Sequence, residues 1–503
     1  MMEFHMFFFR QQRLLLSAIF LLATALRLSL LFTRGDFWFD ETFSVHFSTL
    51  PWHDFFRFAI LETNPPIFTA FLRGFLKIVQ TQSEWIIRLP SVVFGLATVI
   101  LVSHTGKKMF NRTTGLLAAL LLSLSGIHIF VSTETRVYSL LGLIAIASVL
   151  FFYTVCIEER ATRASWAILA GVNALLIFSH LSALLLIAME FFALVLIRPS
   201  KKTIRTWVIL HSAIGALWLT WFVPSLISKM NAGSASAWFL QDAYAREANL
   251  MTIPLTLFAS GRMAPFVSTC IIILAILGVA VVLRDIKKIH NIQQTHTLVL
   301  LFATGVFPLI IGSLLGVYIT KYYLIALPSL ALLAGYAITA ACQTKQRLFF
   351  GTSILFLILL PPAFDVAHTR VFSLSPIIAR IEANATPSSL IITDPFNERL
   401  TLSRYYHGPV AIEGLYLGND SYQEDERIVR YNWMRKHRDE KSLAEWLDRW
   451  LSGKEKIFYL QYTNELGTVP NMLGEKGWTI YGITRAHGHI NLYVFEFHAP
   501  ENN

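Results

Sequence analysis

Apolar runs long enough to cross a membrane alternate with short polar segments through most of this chain. A bilayer core about 30 Å thick is crossed by roughly 17 to 25 apolar residues in a helix. The pattern predicts about eleven such helices, of which the two on either side of His180 are short for a full crossing. The predicted spans are 14–32, 86–105, 115–131, 137–156, 164–178, 181–197, 207–227, 266–283, 298–317, 322–341 and 348–364. We therefore expect a polytopic α-helical membrane protein.

The basic residues between these spans predict the orientation of the chain. Cytoplasmic loops of membrane proteins carry an excess of Lys and Arg. With the N-terminus in the cytoplasm every second loop is internal, and all of these loops are basic: 107–112, 160–163, 198–205, 284–288 and 345–347. An odd number of spans then places everything after residue 364 outside the cytoplasm.

The segment Ile67–Val79 has a different pattern. It is too short to cross the bilayer, and its polar residues Thr69, Arg73 and Lys77 recur every four positions opposite an apolar face. We expect an amphipathic helix that lies in the membrane interface. The outer loop 33–85 is then predicted to fold back onto the membrane with its interfacial helices.

Residues 366–503 have shorter apolar runs and denser charge than the rest of the chain. Strand-like runs alternate there with segments of helical spacing, which predicts a C-terminal α/β domain outside the membrane. The predicted organisation is a membrane domain at 1–365 and an extracytoplasmic domain at 366–503.

The composition narrows the class of protein further. The chain is 54% hydrophobic and 15% charged, and its formal net charge is +10. Soluble domains carry about 25% charged residues, so an ordinary soluble enzyme is excluded. The positive charge is explained by the internal loops, and no nucleic-acid partner is expected. The expected surroundings are the lipid bilayer.

Acidic residues at the outer ends of predicted spans are candidates for chemistry. Asp40 and Glu41 lie among aromatic residues just beyond the first span, and Glu134 lies in a tight outer link together with Arg136. Carboxylates are costly in an apolar interface, which favours a general base and a second acid that positions substrate. The structural alternatives are an acidic helix cap for the first pair and a local ion pair for the second.

Other polar residues lie on the same predicted side. Lys321 is suited to bind phosphate as a point charge and Tyr322 to donate a hydrogen bond, although an aromatic belt with a snorkelling lysine is the alternative. Arg88 begins the second span and either snorkels to head groups or meets a phosphate. Asn64 precedes two prolines at a helix start. His180 is more often a satisfied polar residue than a metal ligand, and the pair His487 and His489 has no third ligand at a telling spacing, so no metal is assigned.

Several of these motifs, taken in order, resemble bacterial members of the protein O-mannosyltransferase superfamily, which includes the lipid A aminoarabinose transferase. The matching motifs are Asp40-Glu41, Asn64-Pro65-Pro66, EWIIRLPS at 84–91, KKMFNR at 107–112 and ETRVYS at 134–139. The resemblance covers about residues 34–140, is weaker over KYYLIALP at 321–328, and is only architectural in the C-terminal part. It implies the GT-C membrane fold.

The resemblance also implies an activity, that of an inverting glycosyltransferase in the bacterial cytoplasmic (inner) membrane. Such an enzyme transfers a single hexose or pentose from a polyprenyl-phosphate carrier to a glycolipid, polysaccharide or protein acceptor on the outer face. The family's catalytic aspartate maps onto Asp40, its neighbouring acid onto Glu41, and the acid of the second outer loop onto Glu134.

Binding of the lipid phosphate follows from the same mapping. The family's phosphate-binding tyrosine maps onto Tyr322, and Lys321, Arg136 and Arg262 are the candidates for supporting charge. The family often has His where this chain has Asn64, so a histidine role is not carried over. The full set of substrate-binding candidates is Asn64, Arg88, Arg136, Tyr138, Arg262, Lys321 and Tyr322. No cofactor is assigned, and a divalent cation at the carboxylates is left open.

Two other classes of protein compete with this interpretation. A transporter or lipid flippase also has many spans, but it is typically built from repeats with ionisable residues near the bilayer midplane. Here we find no repeat, and the candidate acids cluster at one surface. A scaffold that uses its membrane part only as an anchor would not need acids at the outer loops.

Overall fold

The structure is a computed structural model that describes residues 2–62, 64–231, 292–315, 319–342, 344–415 and 440–500. Up to residue 367 the described chain is almost entirely helical. Its helices are α1 (Met2–Thr33), α2 (Phe39–Thr49), α3 (Trp52–Leu61), α4 (Ile67–Val79), α5 (Glu84–Met109), α6 (Arg112–Leu124), α7 (Gly126–Val131), α8 (Tyr138–Phe152), α9 (Arg163–Ile177), α10 (Ala183–Ile197), α11 (Lys201–Asn231), α12 (Ile292–Gly305), α13 (Phe307–Leu314), α14 (Leu327–Ala341) and α15 (Lys345–Ala367). A π-helical turn at Tyr153–Ile157 extends α8, and a 3₁₀ turn at Thr320–Ile325 precedes α14.

The described part is that of a multi-pass membrane protein. Six helical segments are long and apolar enough to cross a bilayer: Arg13–Thr33, Glu84–Met109, Tyr138–Ile157, Lys201–Ser228, Ile292–Leu314 and Lys345–Ala367. Four shorter apolar helices, α6, α9, α10 and α14, fall on further predicted spans. The predicted span 266–283 lies outside the described residues, so the total of eleven stays a prediction.

Besides the span that the π-helical turn extends, three of the predicted spans in the described chain are not continuous α-helices, and one of them, 322–341, begins in the 3₁₀ turn Thr320–Ile325. The span predicted at 115–131 divides at Ser125, whose hydroxyl accepts a hydrogen bond from the His128 amide and begins α7. The span predicted at 298–317 divides after Gly305, and Pro308 lies in the first turn of α13. A hydroxyl cap and a proline both favour a new helix start. Hydropathy misses these breaks because the surrounding residues stay apolar.

Helix α4 has the predicted bounds, but Thr69 and Arg73 of its polar stripe face protein, whereas Lys77 is exposed. Arg73 is buried and donates to the carbonyl oxygen of Ser48 at 3.2 Å, with its guanidinium 4.2 Å from the centre of the Trp52 ring. The hydroxyl of Ser48 donates to the carbonyl oxygen of Thr69. Ile78, in contrast, is 83% exposed. The polar side of α4 therefore holds α2 and α3, and part of its apolar side points outward.

After residue 371 the chain forms a mixed sheet covered by helices on both faces. Its elements are β1 (Phe372–Ser373), α16 (Ser375–Asn384), β2 (Ser389–Thr393), α17 (Glu398–Tyr405), β3 (Ile412–Gly414), α18 (Glu440–Leu451), β4 (Lys456–Gln461), α19 (Thr468–Glu475), β5 (Thr479–Arg485), β6 (His487–Gly488) and β7 (Tyr493–His498). The sheet order is β3-β2-β4-β7-β5, with β2 parallel to β3 and β4, and β7 antiparallel to β4 and β5.

Alternate residues of the central strands supply two cores. Ile391 packs with α16 and α17, whereas its neighbours Leu390 and Ile392 pack with α18 and α19. This period of two is expected for a strand with both faces covered. That these residues form a separate domain outside the cytoplasm stays a prediction.

The C-terminal part contacts the loop that precedes α2. Gly35 has a φ of +88°, and a Cβ there would lie 2.1 Å from the carbonyl oxygen of Phe372, so this close approach requires glycine. Asp36 accepts a hydrogen bond from the Leu374 amide at 2.7 Å, and the Phe37 amide donates to the Tyr405 hydroxyl at 2.6 Å. The start of α2 is therefore held from both sides, by the membrane helices and by the sheet layer.

Candidate active site

The candidate site forms where the first turn of α2 meets the C-terminal end of α1, the N-terminal ends of α5 and α8 and the 3₁₀ turn before α14. Asp40 and Glu41 are the acidic residues of that first turn, and Trp38, the residue at the N-cap, provides no side-chain cap. Adjacent residues on a helix point about 100° apart. The two carboxylates consequently meet different partners.

Glu41 is fully buried and paired with Arg88. The guanidinium donates to both carboxylate oxygens, from Nε to Oε1 at 2.8 Å and from Nη2 to Oε2 at 2.7 Å, and the Thr135 amide donates to Oε1 at 2.9 Å. Burial alone raises the pKa of Glu41, but the charges of Arg88 and Arg34 and these hydrogen bonds outweigh it, so its pKa lies below the ordinary value. Both oxygens of Glu41 are occupied within the protein.

Arg88 also fixes the loop before α2. Its Nη1 donates to the carbonyl oxygen of Gly35 at 2.7 Å and its Nη2 to that of Asp36 at 3.1 Å. The guanidinium lies 4.6 Å from the centre of the Phe37 ring. The structure therefore brings Arg88 and Glu41 together as a clamp that orients the first turn of α2.

Asp40 points in a different direction, towards two cations, and is partly exposed. Its Oδ2 lies 3.4 Å from Lys321 Nζ and 3.9 Å from Arg136 Nε, and the side chain is 26% exposed. Arg136 is anchored to the same turn, because its Nη1 donates to the Ser44 hydroxyl at 3.0 Å. Asp40 is thus the accessible carboxylate of the predicted pair.

Glu134 is buried beside the same lysine. Its Oε1 lies 3.5 Å from Lys321 Nζ and 3.9 Å from Arg34 Nη2. Within the described chain neither carboxylate oxygen of Glu134 has a hydrogen-bond partner, and Arg136 Nε has none either. Buried polar atoms without partners are rare in native proteins, and here several of them lie close together.

Arg34 belongs to the site although the sequence interpretation did not include it. It donates from Nη1 to the carbonyl oxygen of Phe130 and to the hydroxyl of Thr133, both at 2.9 Å. Burial and the charge of Arg88 lower the pKa of Arg34, while the acids Glu41 and Glu134 act against them. The available signal was its position just beyond the first span.

Lys321 connects the two acids that are not clamped by Arg88. Burial lowers its pKa, but Glu134 and Asp40 raise it, and the pKa of Lys321 lies above its ordinary value. Its ammonium group also lies 4.7 Å from the Trp38 ring centre and 4.8 Å from that of Tyr138. Lys321 is therefore charged and held between carboxylates and aromatic faces.

Opposite charges lie close together throughout the site. In the described chain the carboxylates of Asp40, Glu41, Glu84 and Glu134 lie within 4.0 Å of cationic groups of Arg34, Arg88, Arg136 and Lys321. Charges in a water-poor site act strongly because the local dielectric is low. Two of the cations, Lys321 and Arg136, lie beside the partly exposed carboxylate of Asp40, and this part of the site suits an anionic ligand.

Aromatic groups border the cationic side of the site. The rings of Tyr138 and Tyr322 stack with centres 6.1 Å apart, and His180 lies 4.7 Å from Tyr322. Asn64 lies half-buried in the turn before α4, and no contact with Asp40 is recorded for it in the described chain. Arg262 lies outside the described residues.

A metal site would need several ligands at one place. Among the described residues no three His, Cys, Asp or Glu side chains come together as a metal-binding group. Lys321 lies between Asp40 and Glu134, where a cation shared by the two acids would have to bind. The question of a divalent cation stays open.

A second polar cluster, not foreseen from the sequence, lies inside the membrane part. Glu190 of α10 contacts Ser148 of α8 and accepts a hydrogen bond from Asn173 Nδ2 of α9 at 3.0 Å. The same amide lies 2.8 Å from Nε2 of His211 in α11. The sequence interpretation did not include Glu190 among its candidate acids, although Glu190 was visible as the sole charged residue of its apolar run.

Comparison with known proteins supports the sequence interpretation. A sequence profile described as dolichyl-phosphate-mannose-protein mannosyltransferase matches residues 63–227, about a third of the chain. A search of curated proteins finds no match. The profile match contains Arg88, Glu134 and Arg136 but begins after Asp40 and Glu41.

Solved structures resemble the protein over nearly its whole length. ArnT from Cupriavidus metallidurans in the apo state is 14% identical with a TM-score of 0.57, covering 96% of this chain and 97% of that one. The structure of the same protein bound to undecaprenyl phosphate is 12% identical with a TM-score of 0.54, and it covers the same fractions of the two chains. A third similar structure is the oligosaccharyltransferase AglB from Archaeoglobus fulgidus in complex with an inhibitory peptide and a dolichol-phosphate. It is 10% identical with a TM-score of 0.55, covering 89% of this chain and 69% of that one.

The protein therefore has the GT-C membrane fold. Within that fold class it is similar to ArnT, an aminoarabinose transferase, and the predicted resemblance to the protein O-mannosyltransferase superfamily is confirmed. At these identities the structural likeness defines the fold, and the chemistry has to be argued from the site itself.

Proposed function

We propose that the protein transfers a single sugar from a polyprenyl-phosphate carrier to an acceptor at the outer face of the cytoplasmic membrane, with inversion at the anomeric carbon. The observation that carries the proposal is the partly exposed Asp40 beside Lys321 and Arg136, at the ends of apolar helices. A carboxylate base and cations for a phosphate leaving group are the equipment that such a transfer needs. The profile match and the GT-C fold support the same class of reaction.

In the proposed reaction the oxygen of an acceptor hydroxyl attacks the anomeric carbon as the bond from that carbon to the phosphate oxygen breaks. The hydroxyl proton passes to Asp40, and the bonding electrons leave with the lipid phosphate. Lys321 and Arg136 stabilise the added negative charge. Because the incoming phosphate competes for these cations, it draws them away from Asp40 and leaves the carboxylate free to accept the proton.

Glu41 is assigned a positioning role, since both of its oxygens are hydrogen-bonded to Arg88 or Thr135. Glu134 lies beside Lys321 and stabilises the charged form of this lysine. Tyr138 and Tyr322 border the phosphate position. The acceptor is a glycolipid, polysaccharide or protein, and the sugar is a hexose or pentose. The proposed membrane domain is 1–365, and the proposed α/β domain outside the cytoplasm is 366–503.

The proposal is tested with purified protein and a panel of radiolabelled polyprenyl-phosphate sugars, using an envelope extract as the acceptor. Transfer of label from one donor is expected, and Asp40→Asn is the matched inactive control. Absence of transfer from every donor by folded wild-type protein that also fails to bind undecaprenyl phosphate would contradict the proposal.

A flippase or transporter is the remaining alternative, and Glu190 is the observation that favours it. Its carboxylate, however, is satisfied by Ser148 and Asn173 in the described chain, which fits a clamp between helices. Movement of a fluorescent lipid-phosphate across proteoliposomes, without any transfer, would favour the alternative.

A further inference from the structure

His180 lies in the link between α9 and α10, beside the proposed phosphate position. It is buried, and its ring centre is 4.7 Å from that of Tyr322 and 5.6 Å from that of Tyr138. Its Nδ1 lies 3.1 Å from the amide nitrogen of Ser182 and 2.9 Å from the hydroxyl of the same residue. These contacts fix the ring in one orientation.

The contacts of Nδ1 also decide where the ring proton lies. A backbone amide only donates, so the Ser182 amide requires Nδ1 of His180 to be an acceptor. Burial, together with the charges of Arg136 and Lys321, lowers the pKa of His180 to about 3. The ring is therefore neutral at ordinary pH, and its single proton lies on Nε2.

This Nε2–H group is buried and has no hydrogen-bond partner within the described chain. Such a donor is costly to leave unpaired, and native structures rarely do so. The titratable groups that face the ring are Tyr138, Tyr322, Arg136 and Lys321. Because the two charged groups among them are cations, the surroundings favour an anionic oxygen as the missing partner.

We propose that His180 donates a hydrogen bond from Nε2 to a phosphate oxygen of the lipid-linked sugar donor, next to the charges of Lys321 and Arg136. The inference rests on the proposed function, whose donor supplies the phosphate. A neutral hydrogen-bond donor at this place strengthens the binding of the phosphate. It does so without placing a further positive charge beside Asp40 and Glu134. His180 is thus a further binding residue of the same site.

The test compares two amides at this position by measuring the affinity for undecaprenyl phosphate in detergent micelles. His180→Gln carries an N–H group at about the position of Nε2, whereas His180→Asn carries one only near Nδ1. A hydrogen bond to a charged group is worth about a 10- to 100-fold change in affinity. We expect His180→Asn to bind that much more weakly and His180→Gln to stay within about threefold of wild type.

Kinetic and competition measurements distinguish a phosphate-binding role of His180 from a purely structural one. The KM for the lipid-linked donor should rise in His180→Asn with little change in kcat, and the effect should be constant from about pH 5 to 8 because the ring is neutral throughout. At low occupancy by the probe, the inhibition constant of inorganic phosphate should be about 10-fold or more higher for His180→Asn than for wild type and His180→Gln. Equal inhibition constants for all three would overturn recognition of the phosphate group.

The outcomes separate this inference from the proposed function. If wild type binds undecaprenyl phosphate and both amide variants bind it equally well, His180 is not a phosphate ligand and the proposed function stands. If wild type neither binds undecaprenyl phosphate nor transfers a sugar, the proposed function is contradicted, and the inference about His180 falls with it. Thermal unfolding of both variants is recorded, and the comparison between the two amides decides even if each is less stable than wild type.

Discussion

Replacing Glu41 by Gln tests whether the buried clamp, rather than a second catalytic base, explains the acidic pair. Gln keeps the size of the side chain but removes the charge that faces Arg88 at 2.7 Å and Arg34 at 3.8 Å. It also places an NH₂ group where one carboxylate oxygen accepts hydrogen bonds from a guanidinium or amide. Removing one partner of a buried ion pair costs about 3–5 kcal/mol.

We expect the free energy of unfolding to fall by about that amount, measured by SDS titration in mixed micelles. Asp448→Asn is the matched control, because its pair with Lys476 lies at the surface, with the aspartate side chain 64% exposed. That control should lose no more than about 1 kcal/mol. Transfer by Glu41→Gln should fall in step with the loss of structure at the first turn of α2.

The pH dependence of stability supplies a second readout for Glu41. Because its pKa is lower in the folded protein than the ordinary 4.5, the ionised carboxylate contributes stability that is complete above about pH 4.5. That contribution is lost as the pH falls through the folded pKa, and it should be absent from Glu41→Gln at every pH. Wild-type stability in Glu41→Gln, together with lost transfer, would refute the clamp and make Glu41 a group that acts on substrate.

Three further predictions concern the base, the phosphate site and the membrane cluster. Asp40→Asn should reduce transfer by roughly 10²- to 10⁴-fold in a radiolabel assay while undecaprenyl phosphate still binds, and near-normal turnover would move the base to Glu134. Lys321→Ala should weaken binding of undecaprenyl phosphate about tenfold or more in the same assay, and unchanged affinity would contradict its role. Glu190→Leu should lower the free energy of unfolding by about 0.6–2 kcal/mol in SDS titration and leave the donor KM unchanged, so a raised KM would instead connect this cluster with the substrate.

Much of the fold was predictable because it follows from local pattern. The bounds of α4 were predicted from the alternation of apolar and polar positions alone, and the long spans follow from apolar runs that match a bilayer. The pattern could not show which side of α4 is covered. Arg73 is buried there because α2 and α3 fold over it, a contact that depends on residues some twenty positions earlier in the chain.

The residues that form the candidate site were partly predictable from the sequence, but the different roles of these residues were not. The sequence singled out Asp40, Glu41 and Lys321 as residue types suited to acid/base work and phosphate binding. Only the packing of α2 against the ends of α1, α5 and α8 separates a clamped Glu41 from an accessible Asp40. The same packing brings Lys321 to Asp40 across 281 positions and Arg88 to Glu41 across 47, since distant helices meet through their tertiary contacts.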